Sequence, residues 1–349
     1  MRRMNDLITA ARGGEELEKA QVQRAADFLL DEQVEADLKA NFLEAMAQKG
    51  ETAGEIAGFV EAFLERAVRP AFANDHFAGP TIDVCGTGGD KLDLFNVSTT
   101  SMFVTAAAGA TVIKHGNRGI TSKSGGADVL EVLGVPIDQT PEETGESLHR
   151  AGVGFLFAPR YHPAFKAVGP VRAKLAEKKQ RTLFNLIGPL LNPARPQNQL
   201  VGVFDKAWCP VFADILKRLG RKSAWAVNGQ TADGRPVDEM SLMGPTLICR
   251  SGVGGKSADE VLRPEDVGLN VAAEEDLRGG SPQENAEILE GVLRGKITGP
   301  KAEMVALNAG AAIACAGLAD DLADGIDQAR QILKAGAGFE RLKALREST

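Results

Sequence analysis

The stretch Thr81-Ile82-Asp83-Val84-Cys85-Gly86-Thr87-Gly88-Gly89-Asp90 decides the fold. Thr81 to Val84 reads as a short buried strand, and the glycines after it are strand-end punctuation. Ten residues beyond Gly86, Asn96-Val97-Ser98-Thr99-Thr100 leads into a helix predicted from about Thr99 to Ala108. The alternation then continues. A strand is expected at Thr111–Ile113, a helix from Ala127, a second helix opened by Thr140-Pro141-Glu142-Glu143, and a strand at Gly154–Phe157. Leu200–Phe204, Ala207–Leu219 and Ala224–Val227 extend the pattern. Alternating strands and helices predict an α/β fold with a central, mainly parallel sheet flanked by helices.

Upstream, the pattern is purely helical from Leu7 to about Val68. Thr52-Ala53-Gly54-Glu55 reads as a capping box, followed by Ile56, Phe59, Val60, Phe63 and Ala67 at helical spacing. Pro70 and Asn74-Asp75-His76 break that pattern, so a small all-helical domain over 1–73 and a larger α/β domain over 74–349 are expected. From Glu284 onward the chain reads as largely helical, with breaks at Gly299-Pro300 and Gly336.

The bulk composition excludes several function classes. With 349 residues, 44% of them hydrophobic, the chain can bury a sizeable core, while 5% aromatic content and a net charge of −7 argue against nucleic-acid binding. An anionic ligand therefore needs a local positive site. The apolar runs are too short to cross a bilayer, and the polar opening Met1–Asp6 lacks a signal peptide. Cys85, Cys209, Cys249 and Cys315 lack CxxC spacing, so a cytoplasmic protein with reduced thiols and no zinc site is expected.

The glycines at 86–89 let backbone N–H groups close around an anion, and the hydroxyls of Ser98 and Thr99 sit at a helix start that also favours phosphate. Taken alone, the same glycines fit a tight turn with Ser98 capping its helix. A second segment shifts the balance. Lys114-His115-Gly116-Asn117-Arg118-Gly119-Ile120-Thr121-Ser122-Lys123-Ser124-Gly125-Gly126 is expected to follow the second strand, so it would share the carboxyl edge of a parallel sheet with the first loop. Lys114, Arg118 and Lys123 supply cations there, and a solvated basic loop is the alternative. The adjacent carboxylates Asp238-Glu239 suit a hard cation such as Mg²⁺ beside substrate phosphates, although such a pair is ordinarily surface charge. Neither GxGxxG nor Walker spacing is present, which removes the main support for nicotinamide or ATP.

In order, GTGGD with FNVST, KHGNRGITSKSGGAD, FAPRYHPAFKAVGPVR, RTLFNLIGPLLNPARPQNQLVGVF and VDEMSLMGPT resemble the consecutive signatures of the anthranilate phosphoribosyltransferase family, from about residue 82 to 246. The resemblance implies transfer of the 5-phosphoribosyl group from phosphoribosyl pyrophosphate (PRPP) to the amine of anthranilate, with release of pyrophosphate. It also implies a homodimer and a helical domain completed by about 170–195. Matched motif by motif, Gly86, Gly89, Asp90, Asn96, Ser98, Thr99, Lys114, Gly116, Asn117, Arg118 and Ser122 would hold PRPP. Ser98, Asp238 and Glu239 would hold Mg²⁺, and Gly86, His115, Asn117 and Arg172 would meet anthranilate, with Lys114 and His115 acting electrostatically or by orientation.

The chain departs from the family pattern at four places. Leu94 replaces a threonine and Gly126 a serine, each removing a hydroxyl worth about 1 kcal/mol. The stretch Ala173–Gln180 is longer by about three residues, and Asn228-Gly229 replaces His-Gly ahead of a longer loop to Asp238. A pyrimidine nucleoside phosphorylase is the nearest rival, disfavoured by KHGN and the paired carboxylates. A non-catalytic, nucleic-acid-binding relative is opposed by the acidic charge.

Overall fold

The computed structural model describes residues 2–89, 92–119, 123–253 and 258–348. Along the chain, α1 (Arg2–Arg12), α2 (Lys19–Leu30), α3 (Ala36–Lys49) and α4 (Ala53–Leu64) precede β1 (Thr81–Gly86). There follow α5 (Val97–Ala107), β2 (Thr111–Gly116), α6 (Gly126–Val132), α7 (Pro141–Ala151), β3 (Val153–Phe157), α8 (Ala158–Tyr161) and α9 (Gly169–Glu177). Next come β4 (Asn198–Gly202), α10 (Trp208–Arg218), β5 (Ser223–Gln230), β6 (Pro236–Val237), β7 (Thr246–Ser251) and β8 (Ala258–Leu262). Five helices close the chain: α11 (Glu274–Leu277), α12 (Pro282–Leu293), α13 (Pro300–Cys315), α14 (Leu322–Ala335) and α15 (Ala337–Arg346).

Two compact units result, one of residues 1–68 and 159–193, the other of 69–158 and 194–349. The helical unit buries Phe42, Phe59 and Phe63 on α3 and α4. Phe184, from the later segment, stacks on Phe63 with ring centroids 5.8 Å apart. Thr52 caps α4 as its sequence signals, accepting from Glu55 N. The Glu55 carboxylate is also buried, and it accepts from Leu17 N at 2.8 Å and from Lys49 Nζ at 2.7 Å, so its charge is neutralised where it is desolvated.

In the α/β unit the strand order is β3-β2-β1-β4-β5-β7-β8, with β6 on β5. The pairs among β1 to β5 in this order are parallel, whereas β6, β7 and β8 join antiparallel. The chain winds outward from β1 to β3 and returns to β4 on the other side of β1. That reversal makes the carboxyl edge between β1 and β4 the topological switch point, where open α/β sheets take ligands. One face of the sheet is covered by α5 and by α13, which is buried from Met304 to Ile313 and carries six alanines among its sixteen residues.

One sequence expectation is corrected here. Lys114, His115 and Gly116 do not follow the second strand; they are its last three residues, paired with Phe155, Leu156 and Phe157 of β3. The Lys114 and His115 side chains are buried, so pleat geometry rather than loop freedom sets their directions. The antiparallel strands β7 and β8 carried no strong alternation signal.

Candidate active site

The site grows from the ends of β1, β2 and β4. Gly86 closes β1 and pairs with Gly202 at the end of β4. The Asp238-Glu239 backbone lies across both. A Cβ on Gly86 would stand 2.5 Å from Asp238 Oδ2, and one on Gly202 would stand 1.6 Å from the Asp238 carbonyl oxygen. Only glycine at both strand ends lets the acidic pair reach the switch point. Beyond β1 the chain turns through Gly88 and Gly89 at φ of 73° and 94°, a region that other residues rarely adopt. That turn aims Gly88 N at Asp238 Oδ2, which accepts its hydrogen at 2.6 Å.

Glu239 Oε1 accepts from Ser98 N at 3.1 Å, at the second residue of α5. The carboxylate thus occupies part of the positive end of that helix. Asn96, not Ser98, is the N-cap residue, and the Ser98 hydroxyl instead accepts from Lys114 Nζ at 3.2 Å. Lys114 also donates to the carbonyl of Val84, so its ammonium is fastened beneath the loop among oxygen acceptors. Thr99 is buried beside it. A Cβ at Gly126 would lie 3.1 Å from Thr99 Oγ1, so the small residue there also relieves crowding.

The second loop is closed by Asp128, whose Oδ2 accepts from Gly119 N at 2.8 Å and Gly125 N at 2.9 Å. Arg118 turns to α6, with its guanidinium forked on Glu131 at 2.7 and 3.0 Å and reaching Asp128 at 3.3 Å. Lys123 pairs with Asp93 at 2.8 Å, tying the second loop to the first. Asn117 is exposed, and its Oδ1 accepts from Arg118 N at 2.8 Å. Gly86, Gly89, Asn96, Ser98, Thr99, Lys114, His115, Gly116, Asn117, Asp238 and Glu239 therefore gather at one edge of the sheet. Asp90 and Ser122 lie outside the described residues.

Arg172 belongs to the helical unit, on α9, and is half-buried with its guanidinium 5.3 Å from the Phe184 ring centre. Burial lowers its pKa, and no carboxylate pairs with it among the described residues. Asn228 is buried and donates to the Val203 carbonyl at 2.7 Å, bracing the turn after β4. Cys85 lies under the loop as an inert thiol, its pKa pushed well up by burial first and by Asp83 second. Thr87, Asp128 and Asn285 also organise the loops; the first two lie within the quoted motifs without an assigned role, and Asn285 lies outside all of them. Thr87 Oγ1 accepts from Phe204 N at 3.0 Å.

Ser98, Asp238 and Glu239 are oxygen donors of the kind a hard cation prefers, and a carboxylate that accepts one backbone N–H retains acceptor capacity. The donor set fits Mg²⁺ completed by substrate phosphates and water. Among the described residues no cluster of three His, Cys, Asp or Glu side chains offers an all-protein cage.

A model of the glycosyl transferase family a/b domain matches residues 78–339, and one of that family's helical bundle domain matches residues 5–67. The class is therefore a glycosyl transferase with a helical bundle and an α/β domain. The chain is 42% identical over 345 residues to the anthranilate phosphoribosyltransferase of Haloferax volcanii, covering 99% of this chain and 100% of that protein. It is likewise 42% identical to the Rhodopseudomonas palustris enzyme of that name, covering 98% of each. The crystal structure of anthranilate phosphoribosyltransferase from Thermus thermophilus superposes with a TM-score of 0.87 at 38% identity, over 98% of this chain and 99% of that one. The chain belongs to the anthranilate phosphoribosyltransferase family. The Saccharomyces cerevisiae enzyme in complex with PRPP and Mg shares the fold, with a TM-score of 0.84 at 23% identity over 99% of this chain and 98% of that one.

Proposed function

We propose that this protein transfers the 5-phosphoribosyl group of PRPP to the amine of anthranilate and releases pyrophosphate. The observation that carries the reading is the acidic pair Asp238-Glu239 held against both Gly88 N and Ser98 N at the switch point, with Lys114 beneath Ser98. Full-length similarity to relatives of that name supports it.

In this reading Gly86, Gly89, Asp90, Asn96, Ser98, Thr99, Lys114, Gly116, Asn117, Arg118 and Ser122 form the PRPP site. Breaking the bond from ribose C1 to pyrophosphate through a loose, oxocarbenium-like transition state puts most of the demand on the departing anion. The fixed ammonium of Lys114 meets that demand, because a charge that is already oriented needs no reorganisation as the reaction proceeds. Mg²⁺, when held by Asp238, Glu239 and Ser98, supplies further neutralisation of the phosphates. The aryl amine of anthranilate is neutral at pH 7, so position counts for more than a strong base. Gly86, His115 and Asn117 orient the acceptor, and Arg172 takes its carboxylate in a bidentate fork. Arg118 acts through the loop it braces, since its own fork is engaged by Glu131 and Asp128.

The same reading makes the protein a cytoplasmic homodimer formed through the helical domain. Four buried free thiols suit a reducing compartment, and no described helix is long and apolar enough to cross a membrane. The test is to mix purified protein with PRPP, Mg²⁺ and anthranilate and follow the loss of anthranilate fluorescence. Loss that stops when PRPP or Mg²⁺ is omitted is expected; persistence of fluorescence in the complete mixture would overturn the assignment.

A further inference from the structure

Asn285 stands 189 residues from Asn96 in the chain, yet its Nδ2 donates to Asn96 Oδ1 at 2.9 Å. It projects from the first turn of α12 and is 2% exposed. Its own Oδ1 accepts from Gly280 N at 2.9 Å. Capping does not require it, because Ser281 already accepts from Glu284 N at the start of α12. On the other side, Asn96 Nδ2 donates to the Ser124 carbonyl at 3.2 Å, and Ser124 Oγ donates to Asn96 Oδ1 at 3.3 Å.

An amide has one acceptor end and one donor end. With the Asn285 donor fixed at the oxygen of Asn96, a flipped Asn96 would set NH₂ against NH₂ and oxygen against the Ser124 carbonyl. The orientation is therefore unique, and of the two N–H groups on Asn96 Nδ2, Ser124 takes one and the other has no acceptor among the described residues. The backbone supports the same clamp. Phe95 N donates to the Leu277 carbonyl at 3.2 Å and Gly279 N to that of Asp93 at 2.9 Å.

We propose that Asn285 is a positioning residue for PRPP: it orients the Asn96 amide and, through Ser124, locks the loop after β1 to the loop after β2. The inference rests on the proposed function, which puts Asn96 on PRPP.

The experiment compares Asn285→Asp, Asn285→Ala and Asn96→Ala with wild type in the fluorescence assay at about pH 8, where a carboxylate is ionised. Asn285→Asp keeps an acceptor for Gly280 N while turning oxygen against Asn96 Oδ1 and, more distantly, against the Gly280 carbonyl that Nδ2 meets at 3.4 Å, so it retains the shorter bond to the turn and removes the orienting one. Both Asn285 variants should raise the KM for PRPP about tenfold or more and leave that for anthranilate within about twofold. In the Asn96→Ala background, Asn285→Asp should add less than about twofold, because the two residues act as one unit. An unchanged KM for PRPP in Asn285→Asp, an equal rise for both substrates, or full additivity with Asn96→Ala would overturn the inference alone. Absence of PRPP-dependent turnover in wild type would overturn the proposed function and this inference with it.

Discussion

Arg172 keeps a guanidinium half-buried with no carboxylate among the described residues to neutralise it, and desolvation lowers its pKa accordingly. A buried cation without a counter-ion is costly, and the face of Phe184 offsets only part of that cost. An incoming carboxylate would offset the rest. Arg172→Ala is therefore expected to raise the KM for anthranilate on the order of 100-fold while changing that for PRPP by less than about threefold, measured by initial rates with each substrate varied. Arg172→Lys should recover little, because an ammonium cannot reproduce the planar fork. Equal effects on both substrates would remove Arg172 from the acceptor site.

Between α8 and β4 the chain is held by contacts that no periodicity announces. His162 is buried, stacks on Phe165 with ring centres 5.2 Å apart, and donates from Nε2 to the Leu191 carbonyl at 2.8 Å. Burial lowers its pKa, with the bond to Leu191 opposing in part. The folded protein thus binds this proton less readily than the unfolded chain. Stability should rise with pH through the window below the unfolded value near 6.5 and level off above it, with a limiting slope of about 1.4 kcal/mol per pH unit for one group. Urea unfolding at about pH 5.5 and 7.5 should show this loss in wild type and a smaller one in His162→Gln. An identical slope in the variant would assign the effect to other groups. The stretch Ala173–Gln180 is tied down nearby: Lys174 reaches Asp37 at 2.6 Å and Lys178 reaches Glu44 at 3.4 Å, both on α3. Exposed pairs of this kind orient a helix more than they stabilise it.

For the molecule as a whole, the chain folds into a helical unit completed by a late segment and an α/β unit whose site lies at the strand reversal. The proposed homodimer belongs to this scale. Light scattering should give about twice the 36.9 kDa chain mass across a tenfold dilution, and a single-chain mass at all concentrations would refute it. A dimer holding the helical unit would also be stabilised by mass action, so its unfolding midpoint should rise with protein concentration.

What the sequence determined by itself was the alternation of strands and helices, the caps at Thr52 and Thr140, and the segments that carry the phosphate-binding residue types. Those signals are local: hydrophobic period, turn chemistry and cap hydrogen bonds act within a few residues. Tertiary structure alone decided that β2 runs on through Lys114 and His115, that Arg118 turns away onto Glu131, that Asp238 rests on two strand-end glycines, and that Asn285 grips Asn96. Each of these depends on groups from distant parts of the chain meeting at one edge of the sheet. A single hydrogen bond or close approach of that kind leaves no periodic trace in sequence, because its partner is chosen by topology rather than by spacing.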